Sequence, residues 1–464
     1  MTERSIAVIG GGITGLTAAY RLRRDAPDDV DVHLYEASER LGGCIRGTDL
    51  DGVLDESIDV GAEAALARRP EAVDLARELG LTTEAPGSAR SAIFSRGELH
   101  PIPGGSVMGV PADPETAAGL LDDDEVRRAA RETVTGAVSG DIAVADFIEA
   151  RLGPGVADRL VDPLLAGVYA GNSRLLSLRA TIPALWPAAR DGTSLRELVR
   201  RTVPRPAGQA PTDRRPAPVF MSLRGGLSSM IAALERELGD VVRRSAPVGP
   251  LRRSGGRWHF TAGGIARAAD GVIVALPAHA AATVMAGAAP DVGAELGTVE
   301  FSTSAVVTAL VDLDDAPPLE GSGFLVPAAE ARIIKAATIS SNKWPWIARM
   351  LPPGTALVRA SAGRHRDTAV LDRTDDELAR AALADVERIT GRALPVRAAS
   401  VTRWPGALPQ YLVGHDQLVG RIRARMNEVP AACLAGAAYD GVGIPACIGS
   451  ARQAAESILR ELRV

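Results

Sequence analysis

Two glycine-rich turns, one near each end of the chain, constrain this sequence more than any other feature. Residues 5–9 (SIAVI) are apolar and β-branched, which predicts a buried strand. Gly10, Gly12 and Gly15 then complete G-x-G-x-x-G, and residues 16–24 have helical composition. In such a strand–turn–helix the first glycine permits the tight turn and the second lets the backbone approach a pyrophosphate. The third lets the helix pack closely on the strand. Ile13 and Thr14 lie in the same turn, so the helix start offers free N–H groups and a positive dipole end to phosphate. Residues 30–35 predict the next strand, ending at Glu36. That acid lies about 20 residues past the last glycine, where a carboxylate accepts hydrogen bonds from ribose hydroxyls. A lone glycine fingerprint is equally an ordinary turn; strand, helix and acid together point to a dinucleotide.

The next segment narrows the choice. Glu39-Arg40-Leu41-Gly42-Gly43 follows directly, with Arg46 beyond. Gly42 and Gly43 leave room for a second approach to the pyrophosphate, and Arg40 is placed to neutralise it. NAD-binding folds do not need this loop, and here the chain resembles the glutathione-reductase and amine-oxidase type of FAD protein. Asp59-Val60-Gly61-Ala62-Glu63 is similar to that superfamily's D-x-G-A/P-E segment, which implies that Gly61 and Ala62 reach the flavin ring. At the other end, residues 432–436 predict a strand, Gly441 and Gly443 a loop, and 447–462 a helix. No strand with an acid follows, so this turn is expected to face the flavin with its helix start, through Gly436, Gly443 and Ile444. The dipole there would stabilise negative charge on a reduced ring. The alternative is a last helix that merely covers the sheet.

A chain of 464 residues is long enough for two or three domains. Its net charge of −5 argues against general nucleic-acid binding. The N-terminus has no signal-peptide pattern, and the longest uncharged stretch, 271–290, contains Pro277 and His279 and predicts a strand turning into a helix. Cys44, Cys433 and Cys447 form no C-x-x-C, which fits a reducing cytoplasm. Cys44 lies near the expected cofactor, but a packed thiol is favoured over a covalent flavin link, so FAD is expected to be non-covalent. The six histidines are scattered, no metal site is expected, and no Ser-His-Asp order stands out. The redox chemistry is therefore left to the flavin.

The expected fold class is α/β with α+β. A discontinuous Rossmann-like FAD-binding domain (1–65, 219–290 and 396–464) is joined by a mixed-sheet substrate domain (66–110 and 291–395) and a helical insert (111–202). Within the insert, periodicity predicts helices at 115–121, 125–135, 144–152 and 156–165. Residues 203–218, rich in proline, predict a mobile surface loop.

With these inserts in view, the whole chain resembles the oxygen-dependent protoporphyrinogen/coproporphyrinogen oxidase family of haem biosynthesis. The likeness runs through residues 97–103 (GELHPIP) with 109–111, 162–171 (DPLLAGVYAG) with 176–178, 321–327 (GSGFLVP), 341–345 (SNKWP) and 403–411 (RWPGALPQY). It implies oxidation of a porphyrinogen by six electrons, three hydride transfers to flavin N5, each followed by reoxidation by oxygen to hydrogen peroxide. It also implies that Val248 holds the adenine, Trp404 lies near the flavin, Tyr169 belongs to the substrate pocket, and Gly323, Phe324 and Leu325 line its apolar face. The substrate is already poised to aromatise, so binding and orientation suffice, which fits the lack of an acid/base dyad. Membrane-bound relatives take protoporphyrinogen, with two propionates; soluble ones take coproporphyrinogen III, with four. The insert is charged throughout and has no docking helix, which favours coproporphyrinogen, a cytoplasmic enzyme and weak or absent membrane contact. It leaves room for transient contact with the next haem-pathway enzyme. Four carboxylates want cations, and Arg68, Arg90 and Lys343, with Arg69, are the candidates. The alternatives are a protoporphyrinogen oxidase, an amine oxidase or carotenoid desaturase, and a non-catalytic FAD-binding or haem-delivery scaffold. The aromatic content of 3% argues against an amine oxidase cage, and only turnover separates enzyme from scaffold.

Overall fold

A computed structural model describes residues 4–203, 218–313 and 318–463. The chain divides into two compact units, the first made of Met1–Ala85, Ala217–Glu300 and Gln417–Val464, the second of Pro86–Pro216 and Phe301–Asp416. The proline-rich loop expected at 203–218 falls, apart from its two end residues, outside the described residues.

The first unit is built on an all-parallel sheet of β1 (Arg4–Ile9), β2 (Val30–Tyr35), β3 (Val242–Arg243), β4 (Gly271–Val274) and β5 (Ala432–Leu434), in spatial order β3-β2-β1-β4-β5. Val8 stands opposite Leu34 on one side and Ile273 on the other, and Val274 opposite Leu434. Central strands of a parallel sheet are covered on both faces, which is why β1 reads as an unbroken apolar run and Ile6, Ala7, Val8 and Ile9 are all buried. Helices α1 (Ile13–Asp25), α2 (Ser228–Leu238) and α3 (Ile444–Leu462) send Leu16, Leu22, Leu234, Ile448 and Ile458 into one core. The step from β3 to β4 is made by a three-stranded antiparallel meander, Arg252–Ser254, Arg257–Ala262 and Ile265–Ala269. Val248 makes an isolated bridge to Ala262 beside the meander. α3 starts at Ile444, three residues earlier than expected, because Pro445 falls in the first turn, where a missing N–H costs nothing.

The second unit has a seven-stranded mixed sheet in the order Val396–Pro409, Phe301–Asp312, Thr355–Ala362, Ile334–Ile339, Gly323–Leu325, Ser91–Ser95 and Glu98–Pro101. Helix Asp375–Thr390 packs Leu378, Ala382 and Val386 against Val307, Val358 and Ile339. Three boundaries differ from expectation. Residues 396–416 lie in this unit because strand Val396–Pro409 pairs with Phe301–Asp312. Residues 66–85 lie in the first because helix Pro70–Glu78 buries Ala72, Leu75 and Ala76 in the parallel sheet's core. Residues 291–300 also lie in the first, where helix Pro290–Leu296 packs on helix Ala278–Met285.

The helical part departs from simple periodicity at its ends. The helix expected at 115–121 is one 3-10 turn, Pro114–Ala117, capped by Asp113. Asp122 and Glu125 form a reciprocal capping box, so the next helix runs Asp123–Ala130 and not 125–135. Val144–Leu152 is helical as expected. Beyond it a wide π-helical turn, Val156–Val161, runs into helix Asp162–Tyr169. Pro163 supplies no N–H and crowds the carbonyl four residues back, which favours the wider turn. Arg151, fully buried, ties the bundle together. It donates to Thr135 Oγ1 and the carbonyls of Thr135, Ala188 and Thr193, and lies 3.5 Å from Glu132. A buried charge needs that many acceptors. Among the described residues no helix is long and apolar enough to cross a membrane.

Lys335 is a second buried cation, donating to the carbonyls of Ala362 and Gly363. Burial, with Arg364 nearby, pushes its pKa down to about 7 from 10.5. At or below pH 7 both folded and unfolded chains hold the proton, and the cost of burying the charge is borne in full. Between pH 7 and 10.5 the folded protein gives the proton up while the unfolded chain keeps it, and the cost shrinks as pH rises. Lys335→Met should therefore gain most over the wild type at pH 7, with a gain that falls steadily toward pH 10 in denaturant midpoints. The two lost hydrogen bonds add only a pH-independent offset, so a difference flat across that range would contradict the assignment.

Candidate functional site

The first unit brings its two glycine-rich ends together. Gly42 N donates to Gly11 O at 2.8 Å, and Gly12 bridges Gly42, so the second glycine loop lies against the first. A Cβ added at Gly12 would meet nothing within 4 Å, and one at Gly43 only Gly12 Cα at 3.5 Å. Gly12 has φ −74°, a conformation open to any residue, so its bareness serves space and not backbone geometry. Gly15 is the opposite case: a Cβ there would run into Gly10 O. The start of α1 has no side-chain cap and no acid in its first turn. Its N–H groups and dipole therefore point uncompensated toward this space. Bare backbone on two sides and an uncapped helix start are what a diphosphate needs.

From the other end, β5 runs into Gly436, whose position is beside Thr14 in the first turn of α1 (3.6 Å from an added Cβ to Oγ1). Gly436 N donates to Ser450 Oγ at 2.9 Å, and Ser450 Oγ donates to Asp440. Gly443 caps α3 with no side-chain bond and no acid follows, and Ile444 and Pro445 are buried behind it. Two uncapped helix starts, of α1 and α3, thus belong to one unit with the two glycine loops.

Two expected contacts behave differently. Glu36 Oε2 accepts from Gly11 N at 2.7 Å, and Oε1 from Ser38 N and Oγ at 2.8 Å. The carboxylate thus braces the glycine turn, and a ribose would share it with these donors. Arg40 donates to the carbonyls of Leu41, Gly43 and Ile45, stapling its own loop. It holds the second glycine turn in shape, with its guanidinium turned to the loop's carbonyls. Val248 is half-buried beside the meander, and Gly61 and Ala62 follow a two-stranded ribbon in which Gly47 faces Asp59. Asp59, which heads this D-x-G-A/P-E segment, was given no role by the sequence reading. The signal was available in S-L-R-G-G-L, whose glycines leave room for a carboxylate before helix α2.

The remaining expected residues lie in the second unit, apart from Arg68 and Arg69, which are exposed in the first, Arg69 paired with Glu71. Arg90 is exposed, and its carbonyl accepts from Ser322 N. Lys343 is half-buried, its ammonium 5.2 Å from the centre of the Trp344 ring. Trp404 is half-buried opposite Ser304 on an edge strand. Tyr169 is buried at the end of helix Asp162–Tyr169. Desolvation pushes its hydroxyl up to about 12, and its carbonyl accepts from Gln410 Nε2 and Ser302 Oγ. Strand alternation separates the apolar trio. Phe324 packs in the core under the sheet, so it does not join Gly323 and Leu325 on the other face. Leu325 lies beside Gly167 of that helix, 3.5 Å from an added Cβ.

The family pattern described as "Flavin containing amine oxidoreductase" matches residues 13–459. This chain belongs to that family. It is a flavin-dependent oxidoreductase by that membership. The coproporphyrinogen III oxidase of Mycobacterium tuberculosis is 38% identical over 475 residues, 100% of this chain and 99% of that protein. The protoporphyrinogen oxidase of Bos taurus is 32% identical over 494 residues, 98% of each. A crystal structure from Exiguobacterium sp. 255-15 is 32% identical, with a TM-score of 0.85 and both chains fully covered. The resemblance to the porphyrinogen oxidase family thus holds from end to end.

The cradle makes a paired prediction. Gly12→Val should fold with wild-type thermal stability and lose cofactor affinity at least tenfold (about 1.4 kcal/mol), read by flavin fluorescence quenching. Gly15→Ala should instead lower thermal stability, because its Cβ meets backbone that cannot move aside. Equal flavin binding by Gly12→Val would show that the open space is not the cofactor's.

Proposed function

We propose that this protein oxidises coproporphyrinogen III to coproporphyrin III, with FAD held non-covalently and molecular oxygen as the final acceptor. Six electrons leave the substrate, three O2 are reduced, and three H2O2 form. The observation that carries the reading is the end-to-end match to a coproporphyrinogen III oxidase, at a higher identity than the match to the bovine protoporphyrinogen oxidase. FAD, when bound, takes up the hydride equivalents and passes them to oxygen. The protein's own part is to hold and orient. Gly12, Gly42 and Gly43 offer bare backbone to the diphosphate, Gly15 and Glu36 keep that turn in shape, and the starts of α1 and α3 supply positive potential. Gly10, Ile13, Thr14, Gly61, Ala62, Val248, Trp404, Gly436, Gly443 and Ile444 complete the proposed cofactor contacts.

Non-covalent binding fits the thiols. Burial raises the pKa of Cys447 to about 11, and the thiol of Cys44, though exposed, is also pushed up by desolvation, which disfavours the thiolate at both. Free thiols of this kind suit a reducing cytoplasm, where we place the reaction. For the substrate, Arg68, Arg90 and Lys343 are proposed to meet propionates, and Gly323, Leu325 and Tyr169 to face the macrocycle. A hydroxyl titrating near 12 leaves Tyr169 neutral at working pH, a hydrogen-bond donor and not a base. The second reading, protoporphyrinogen oxidation, is favoured by the bovine relative and by the Exiguobacterium structure, which is described as a "Putative protoporphyrinogen oxidase".

Aerobic turnover of the purified protein with each porphyrinogen decides between them, with porphyrin fluorescence and peroxide followed against the uncatalysed blank. Coproporphyrinogen III should show kcat/KM about tenfold or more above protoporphyrinogen IX, the scale of one lost charge-assisted contact. Arg90→Ala and Lys343→Ala should raise KM for coproporphyrinogen and leave kcat nearly unchanged. A preference for protoporphyrinogen would overturn the four-propionate assignment. Flavin binding without turnover of either would return the protein to the amine-oxidase-like and scaffold readings.

A further inference from the structure

We propose that Asp59 is a positioning residue for the flavin, fixing the Gly61–Ala62 segment by capping helix α2 from a distant part of the chain. The inference rests on the reading of Gly61 and Ala62 as flavin contacts. Asp59 is 5% exposed. Its Oδ2 accepts from Leu227 N at 2.7 Å and its Oδ1 from Ser228 N at 3.1 Å, 168 and 169 residues away in sequence. α2 has no side-chain cap from its own flank and no acid in its first turn, so this carboxylate supplies both.

Gly226 makes room for it: its φ is +79°, and an added Cβ would stand 2.7 Å from the carboxylate. Gly47, paired with Asp59, leaves room for two hydroxyls, since an added Cβ would run into Ser57 Oγ and stand 2.9 Å from Ser228 Oγ. The main chain around Asp59 is fixed separately. Val60 N donates to Arg46 O at 2.9 Å and Ala62 N to Cys44 O at 3.3 Å, both in the stretch that follows the second glycine pair. The segment is thus held at two points, by its backbone on that loop and by the Asp59 side chain on α2. Removing the carboxylate leaves two donors at a helix start unsatisfied and frees one of the two points. The segment's position would then vary while the rest of the cradle stays in place.

The test uses the full chain, stripped of flavin and titrated with FAD, as wild type, Asp59→Ala, Asp59→Asn and Gly12→Val. Dissociation constants, the visible circular dichroism of the bound flavin, and the thermal midpoint of the apoprotein are measured. Asp59→Ala should weaken FAD about tenfold and change the dichroism. Asp59→Asn keeps one acceptor oxygen and should recover part of both. If Asp59→Ala does not fold, Asp59→Asn carries the test, with a weaker affinity and an altered flavin spectrum expected. Wild-type affinity and dichroism in the Asp59 variants would overturn the inference, and so would lost stability with an unchanged flavin spectrum. Loss of FAD in Gly12→Val alone would overturn this inference and leave the cofactor reading standing. Wild-type binding in Gly12→Val would overturn the cofactor reading itself.

Discussion

The hydrogen bond from Gly42 N to Gly11 O joins two loops that carry no side chains where they meet. Its consequence is space: with the second loop held at that distance, the volume beside Gly12 stays open, and α1 points its unpaired N–H groups into it. Much of the surrounding structure serves that geometry. Glu36 holds the first turn by Gly11 N, Arg40 holds the second by three of its own carbonyls, and Gly15 lets α1 lie on β1. An anion in this space meets oriented dipoles without meeting a mobile side chain, so little ordering entropy is left for binding to remove. The chain's far end joins the same unit through β5, Gly436 and the start of α3.

Features that depend on a few neighbouring residues were legible in the sequence. The β1–turn–α1 unit and helix Val144–Leu152 follow from apolar period and glycine spacing, and they stand as expected. Arg40 and Glu36 lie on the two glycine loops, but their partners were not legible. A guanidinium beside two glycines suggests an anion, and only the folded loop shows three nearer carbonyls. Phe324 and Leu325 looked alike in an apolar run, yet strand alternation sends one into the core and the other to the opposite face. The helix predicted at 125–135 starts two residues earlier, through the capping box of Asp122 and Glu125, which apolar period alone does not show. The role of Asp59 at helix α2 was not legible locally, because its donors lie 168 and 169 residues away.

The second unit shows a different economy. Its sheet and bundle carry charges in their interiors, Lys335 and Arg151, each turned onto backbone carbonyls. Such groups contribute little net stability and instead penalise alternative packings, since any shift leaves a buried cation unpaired. A large, flat, polyanionic substrate of the proposed kind asks for a rigid wall more than for reactive side chains, and the chemistry itself belongs to the flavin.

The most direct test of the two-sided cradle is a titration of the flavin-free protein with FAD and with FMN, which lacks the second phosphate and the adenosine. The account predicts that FAD binds at least about a hundredfold more tightly, because the glycine loops and the start of α1 hold the part that FMN does not have. Equal affinity for the two would mean that the paired glycine turns hold no dinucleotide, and the account would fail at its centre.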